Sequence, residues 1–462
     1  MNNSHVSPGS FTGTSPVWLK EPDDVNDLMP HLWSQTAEKR DGDLYVGGLS
    51  IPELVANVNT PAFILDEDDF RSRARAFKEA FAPADVYYAG KSFLCTEVAR
   101  WIDQEGLCLD VCSDGELTVA LRAGFDPERI GYHGNNKTAM ELRRAIIAGV
   151  GRIIVDSFDE IERIGAITAE TGTPARVMIR VTAGVEAHTH EFIATAHEDQ
   201  KFGFSISSGD AFGAARRILE HPGIDLRGLH SHIGSQIFDT AGFEVAARRV
   251  LALHAKIAHE LGHVMPETDL GGGFGIAYTS QDDPKPPVEL AAGMREIVTQ
   301  ECRGLGIEEP HLSIEPGRAI VGPSMCTVYT VGTVKQVALD GGHTRTYVSV
   351  DGGMSDNIRT ALYDADYSAT LASRTSDAAP VVARIVGKHC ESGDIVVKDE
   401  FLPSDIRPGD LVAVPATGAY GRSMASNYNH ALRPPVVAVK DGVARTLVRR
   451  ETVEDLLTTD LG

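Results

Sequence analysis

Four features of this sequence could do chemistry together: a lysine, a carboxylate, a pair of histidines and a glycine run. Lys91 stands in DVYYAGKSF (85–93), where an apolar run of Val86, Tyr87 and Tyr88 stops at Gly90 and a helical spacing of Phe93, Val98 and Trp101 follows. Burial lowers an ammonium pKa, and the uncharged amine is the form that attacks carbonyls. A lysine at the tip of a buried strand is therefore a candidate Schiff-base nucleophile; the alternative is a lysine that merely reaches out to solvent. Glu315 in IEPGR (314–318) offers a general base, a metal ligand or the partner of a protonated ring nitrogen, with Gly317 and Arg318 extending an anion site. The alternative there is a Pro-Gly turn with a surface ion pair.

Gly271-Gly272-Gly273-Phe274-Gly275 presents backbone amides that can approach an anion at the start of a helix, unless it is only a tight turn. HSHIGSQ (230–236) puts His230 and His232 on one side of a strand. Zinc would suit two histidines at that spacing, but no nearby cysteine or third histidine completes a set, so no metal is expected. His232 stacked on a planar cofactor, with Ser235 donating to a phosphate, suits the neighbours better. A lysine nucleophile, a phosphate cradle, a carboxylate and a stacking imidazole are what a pyridoxal 5'-phosphate site requires.

These residues need a scaffold that brings strand ends together. From Val86 onward, apolar strand-like runs begin at 86, 107, 129, 152, 176, 226, 268 and 311, the first few about 22 residues apart, which is one strand, one loop and one helix. Eight such units read as a (β/α)8 barrel. Polar residues close the runs: Lys91, Ser113, His133, Asp156, Arg180, His232, the 271–273 glycines and Glu315. The C-terminal rim of such a barrel is where chemistry is placed; a doubly wound sheet competes, but would not put polar groups on all eight strand tips. Ser113 and Glu116 fit a capping box for the helix after the second strand.

After about residue 320, short Val-rich alternating runs bounded by Gly, Pro and Asp predict a second, mostly β barrel or sandwich domain. The boundaries expected are an N-terminal extension over 1–45, a cofactor-binding barrel over 46–318 and a β domain over 319–462, to which strands from 46–60 could be joined. The polar, histidine-containing segment 183–200, with His188 and His190, reads as a loop over the site.

The 462 residues carry 43 basic and 65 acidic side chains, a net charge of −22, which argues against nucleic acid or an anionic membrane as partner. Six scattered cysteines form neither a disulfide framework nor a paired zinc pattern. With no leader pattern at MNNSHVSPGSFTG and no long apolar span, a cytoplasmic protein is expected.

From about residue 45 to the end, the chain resembles the alanine-racemase-like fold type of pyridoxal phosphate enzymes, and within it the ornithine and diaminopimelate decarboxylases. The resemblance rests on YAGKS, DVCSDGEL (110–117), HGNNK (133–137), KFGFS (201–205), HSHIGSQ, DLGGGFG (269–275), EPGR (315–318), CESGD (390–394) and GAY (418–420). It implies that Lys91 carries the cofactor covalently, that His232 stacks on the pyridine face, that Ser235, Gly273 and Tyr420 contact the phosphate, and that Glu315 pairs with the ring nitrogen. Glu391 stands where ornithine-type enzymes have an aspartate, and Arg318, Arg359 and Tyr363 match positions that hold substrate carboxylates, with Tyr420 close to the substrate as well.

These features point to the diaminopimelate branch. The implied reaction converts meso-2,6-diaminoheptanedioate to L-lysine and carbon dioxide, with Cys390 or Lys91 returning the proton. The resemblance also implies a homodimer in which the partner's CESGD segment completes each site. The alternatives are a relative acting on ornithine, lysine or a carboxylated polyamine, and a catalytically silent regulatory relative, which would be expected to lose the lysine or the glycines kept here.

Overall fold

The computed structural model describes residues 16, 18–184, 201–339 and 344–462; His188, His190 and the rest of the expected loop from 185 to 200 lie outside the described residues. The chain forms two compact units. One comprises Asp69–Ile276 and Asp283–Gly322; the other comprises the described residues up to Asp68, Ala277–Asp282 and Pro323–Gly462.

The first unit is a closed barrel of eight parallel strands: Asp85–Ala89, Cys108–Val111, Ile130–Tyr132, Arg152–Val155, Ala175–Thr182, Ile224–Ser231, Glu267–Asp269 and His311–Ile314. Neighbours pair in chain order, and Ile314 opposite Val86 closes the ring. Strands such as Arg152–Val155 are buried throughout, as parallel strands covered by helices must be. The helices between them start where side chains cap their free amides: Thr138 opens Ala139–Ala148 with a full capping box, and Ser157 opens Phe158–Thr171. Ser113 caps Asp114–Ala123 by accepting the amide of Glu116 at 3.2 Å. The Glu116 carboxylate turns to the amide of Cys112 (2.7 Å) instead of that of Ser113, so the box expected there is not reciprocal. Behind the first strand, Phe70 packs edge-on to Tyr88 and against Trp101, with centroids 5.7 and 5.6 Å apart, fixing the strand that ends in Lys91.

The second unit is mostly β. Its long strand Met325–Ala338 pairs antiparallel with Thr344–Val350, Leu411–Val414 and Ala62–Asp66. The sequence pattern places 46–318 in the barrel, but Ala62–Asp66 lies between Met325–Ala338 and Val436–Lys440 in this sheet. Every residue of that strand is buried, so it needs a neighbour on each edge, and a buried strand followed by a helix looks the same in either unit. The expected extension over 1–45 is likewise built in from its later part: Glu38–Arg40 pairs with Asp43–Val46, and Leu32, Trp33, Leu44 and Val46 join Ile64 and Val437 in the core. Among the described residues no helix is long and apolar enough to cross a membrane.

Candidate active site

A cavity of about 300 Å³ opens among the C-terminal ends of the barrel strands, lined by Lys91, Asp110, His133, Arg180, His232 and Glu315, among others. Lys91 sits in the one-turn 3₁₀ helix Gly90–Ser92. Ser92 Oγ donates to the Ala89 carbonyl (2.7 Å) and Tyr88 donates to the Phe93 carbonyl (2.7 Å), so the turn is fixed from both sides. The strand is buried as expected, but the lysine side chain is exposed, because it extends into the open cavity instead of packing between elements.

The glycine run is tied to the barrel interior. Asp269 accepts the amide of Gly271 at 2.6 Å, while its other oxygen is held by Arg152 and by Ser313 Oγ (2.6 Å). Arg152 also lies 3.6 Å above the Tyr87 ring. A Cβ on Gly272 would stand 2.2 Å from the Glu315 carbonyl, and Gly273 has φ +109°, so glycine is required at both. Phe274 anchors the end of the run among Phe77, Phe81 and Phe243, with centroids 5.3, 5.8 and 5.4 Å away. The amide of Gly272 donates to His232 Nδ1 (3.3 Å), which fixes that imidazole's orientation and leaves the proton of the neutral ring on Nε2. Arg318 donates to Ser235 Oγ at 2.8 Å.

Beneath these groups, Nε2 of His230 lies 3.0 Å from Glu315 Oε1, and Nε2 of His133 lies 3.3 Å from the same oxygen and 3.1 Å from Asp110 Oδ1. The third histidine missing from the local sequence is thus supplied by another strand, and His133, His230 and Glu315 could together reach a metal ion. Burial would raise the Glu315 carboxyl, but His230 and then His133 outweigh it and hold it well below the usual range. Burial, followed by the Glu315 charge, pushes Asp110 far up. Two carboxyls in one pocket are driven apart, with Glu315 ionised and Asp110 protonated. Burial, then the charges of Lys91 and Arg180, push His232 well down, so its ring stays neutral.

The residues fit pyridoxal 5'-phosphate on one observation in particular. Both Asp110 oxygens, Nε2 of His133, both ring nitrogens of His230 and Oε1 of Glu315 are buried without an aligned hydrogen bond among the described residues. Polar atoms left so around a cavity suit a ligand with complementary polar atoms.

The remaining expected site residues lie in the β unit. Arg359, at the start of the short helix Arg359–Tyr363, is buried. Its guanidinium donates to Tyr367 Oη (2.6 Å) and lies 4.6 Å from the Tyr278 ring centre. Tyr363 closes that helix, half-buried. Tyr420 occupies a left-handed backbone position at φ +63°. Cys390 and Glu391 are exposed on a turn built around Asp394, which accepts the amides of Met354 (2.6 Å) and His389 (2.7 Å). Sequence reasoning passed over Arg152 and Asp269, whose pairing joins the fourth and seventh barrel strands, and Tyr428, whose phenol donates to Glu391. The polar residue inside a buried barrel run was the signal for the first pair; nothing local marked Tyr428.

An eight-stranded parallel barrel with a lysine, an ionised carboxylate and a neutral imidazole around a glycine-edged cavity defines a pyridoxal-phosphate enzyme. Residues 67–322 match the family described as pyridoxal-dependent decarboxylase, pyridoxal binding domain. The chain is similar to the diaminopimelate decarboxylases of Mycobacterium tuberculosis (56% identical over 443 residues, 94% of this chain and 98% of that one) and Mycobacterium leprae (54% identical, covering 99% and 98%). Its fold is similar to that of the diaminopimelate decarboxylase from M. jannaschii solved in co-complex with L-lysine (TM-score 0.86, 30% identical, covering 93% and 98%). The chain belongs to the pyridoxal-dependent decarboxylases, in the diaminopimelate decarboxylase family.

Proposed function

We propose that the chain releases carbon dioxide from the D-configured carbon of meso-2,6-diaminoheptanedioate and leaves L-lysine, the last step of lysine biosynthesis. The observation that carries this is the convergence of Lys91, Glu315 and His232 on one cavity in a chain 56% identical to a diaminopimelate decarboxylase. When bound, pyridoxal 5'-phosphate supplies the sink for the electron pair left by the departing carboxylate.

The protein's own groups hold the parts in place. Lys91 is the amine that bears the cofactor, and its nitrogen can take up and return a proton. Glu315, ionised, keeps a proton on the ring nitrogen. His232, neutral and oriented by the Gly272 amide, offers a flat face for stacking. Ser235, Gly273 and Tyr420 hold the phosphate. Arg318, Arg359, Tyr363 and Tyr420 bind substrate, the planar guanidinium forks meeting a carboxylate. Glu391 takes the distal amino group, and Cys390 or Lys91 returns the proton to carbon.

Cys390 and Glu391 reach the site from a second copy of the chain, in a cytoplasmic homodimer with two shared sites. Their exposure on the β unit supports that reading. Steady-state rates with meso-diaminoheptanedioate, ornithine and lysine side by side test the substrate. Turnover of the first alone is expected, and preference for ornithine would overturn it. A dilution series tests the dimer, which a fully active monomer would contradict.

A further inference from the structure

We infer that Tyr428 is a positioning residue for substrate selection: its phenol holds the Glu391 carboxylate in the orientation that receives the distal amino group. The inference rests on the reading of Glu391 given above. An exposed glutamate explores several rotamers and loses that freedom when it meets a ligand, so a fixed carboxylate binds better than a free one. Tyr428 Oη donates to Glu391 Oε1, leaving the second oxygen outside that bond. The hydrogen bond to Glu391 pushes the phenol's pKa up, so the proton stays on Tyr428 and the donor role is fixed.

Tyr428 can act as a fixed point because its own turn is held from several directions. The Ser426 amide donates to the Ser355 carbonyl at 2.9 Å, and Asn427 Nδ2 donates to Glu451 Oε2 at 2.6 Å and to the Ala431 carbonyl at 3.0 Å. The next two residues, Asn429 and His430, both take left-handed backbone conformations at φ +53° and +55°. Such conformations persist where the surroundings over-determine them. The tie to Glu391 then runs through a second residue. His389 lies with its ring 5.3 Å from that of Tyr428, Nδ1 meets Asn429 Oδ1 at 2.9 Å, and Nε2 meets Ser355 Oγ at 2.8 Å. Its amide is held by Asp394 at 2.7 Å. His389 immediately precedes Cys390 and Glu391, so one imidazole locks the loop carrying the carboxylate to the turn carrying the phenol.

The test is a double-mutant cycle in the holoenzyme, Tyr428→Phe, Glu391→Gln and both together, read as KM and kcat for meso-diaminoheptanedioate with the unfolding temperature as control. Tyr428→Phe is expected to raise KM by about five- to tenfold with little change in kcat or unfolding temperature, and the double variant is expected to be no worse than Glu391→Gln alone. A wild-type KM in Tyr428→Phe beside a raised one in Glu391→Gln overturns the positioning role and leaves Glu391 standing. Losses that multiply in the double variant, or a fall in kcat alone, overturn it as well. An unchanged KM in Glu391→Gln removes the reading of Glu391 itself.

Discussion

Asp269 accepts the backbone amide of Gly271 at 2.6 Å, so the glycine run at the barrel rim hangs from a carboxylate inside the barrel. The same carboxylate neutralises Arg152, which is buried and lies over Tyr87. A cofactor site at the rim and the integrity of the core are therefore one structure. Removing the acid leaves a buried guanidinium without its partner and frees the loop. Asp269→Ala is expected to lower stability by about 3–5 kcal/mol and to weaken pyridoxal 5'-phosphate binding, measured by denaturant unfolding and by equilibrium dialysis of the cofactor.

Glu315 is held ionised by the imidazoles beside it, and in the function proposed above this charge keeps a ring nitrogen protonated. Glu315→Gln keeps the shape and removes the charge. It is expected to lower kcat by about 10²- to 10³-fold while the cofactor still binds, checked by steady-state kinetics beside cofactor absorbance.

Arg359 is fixed between Tyr278 and Tyr367, which aims its planar fork. A lysine at this position keeps the charge and loses the fork. Arg359→Lys is expected to raise KM for meso-diaminoheptanedioate by about tenfold or more, with a smaller effect on kcat.

Asp356, fully enclosed in the β unit, has its carboxyl pushed up to about 7 by burial, although Tyr329 Oη at 2.9 Å and the Gly353 amide pull it down. Its pKa is higher folded than unfolded. The stability it contributes is therefore complete below about pH 4 and is lost as pH rises through about 7, because the unfolded chain gives up the proton first. Asp356→Asn keeps an acceptor for Tyr329 and has no proton to lose. Unfolding curves from about pH 4 to about pH 7 are expected to show the variant gaining on the wild type by up to about 4 kcal/mol.

Much of this was legible in the sequence because it is carried by contiguous stretches. A parallel strand buried on both faces leaves an apolar run with a polar tip, so eight such runs announced the barrel, and Lys91, His232, the glycines and Glu315 each stood at a tip. What stayed hidden depends on partners distant in the chain. Ala62–Asp66 reads as a barrel strand until its neighbours, Met325–Ala338 and Val436–Lys440, are known. The meeting of Asp110, His133, His230 and Glu315 joins four strands and appears only when the barrel closes. The enclosure of Arg359 by Tyr278 and Tyr367 stayed hidden too, because no local pattern announces those distant rings.

The most direct measurement uses meso-diaminoheptanedioate labelled in the carboxylate of its D-configured carbon. Labelled carbon dioxide is collected and L-lysine quantified from the purified holoenzyme and from Lys91→Ala. One lysine is expected for each labelled carbon dioxide, with release abolished in the variant. Release that survives the loss of Lys91, or carbon dioxide without L-lysine, would contradict the assignment of this cavity as the place where the substrate is decarboxylated.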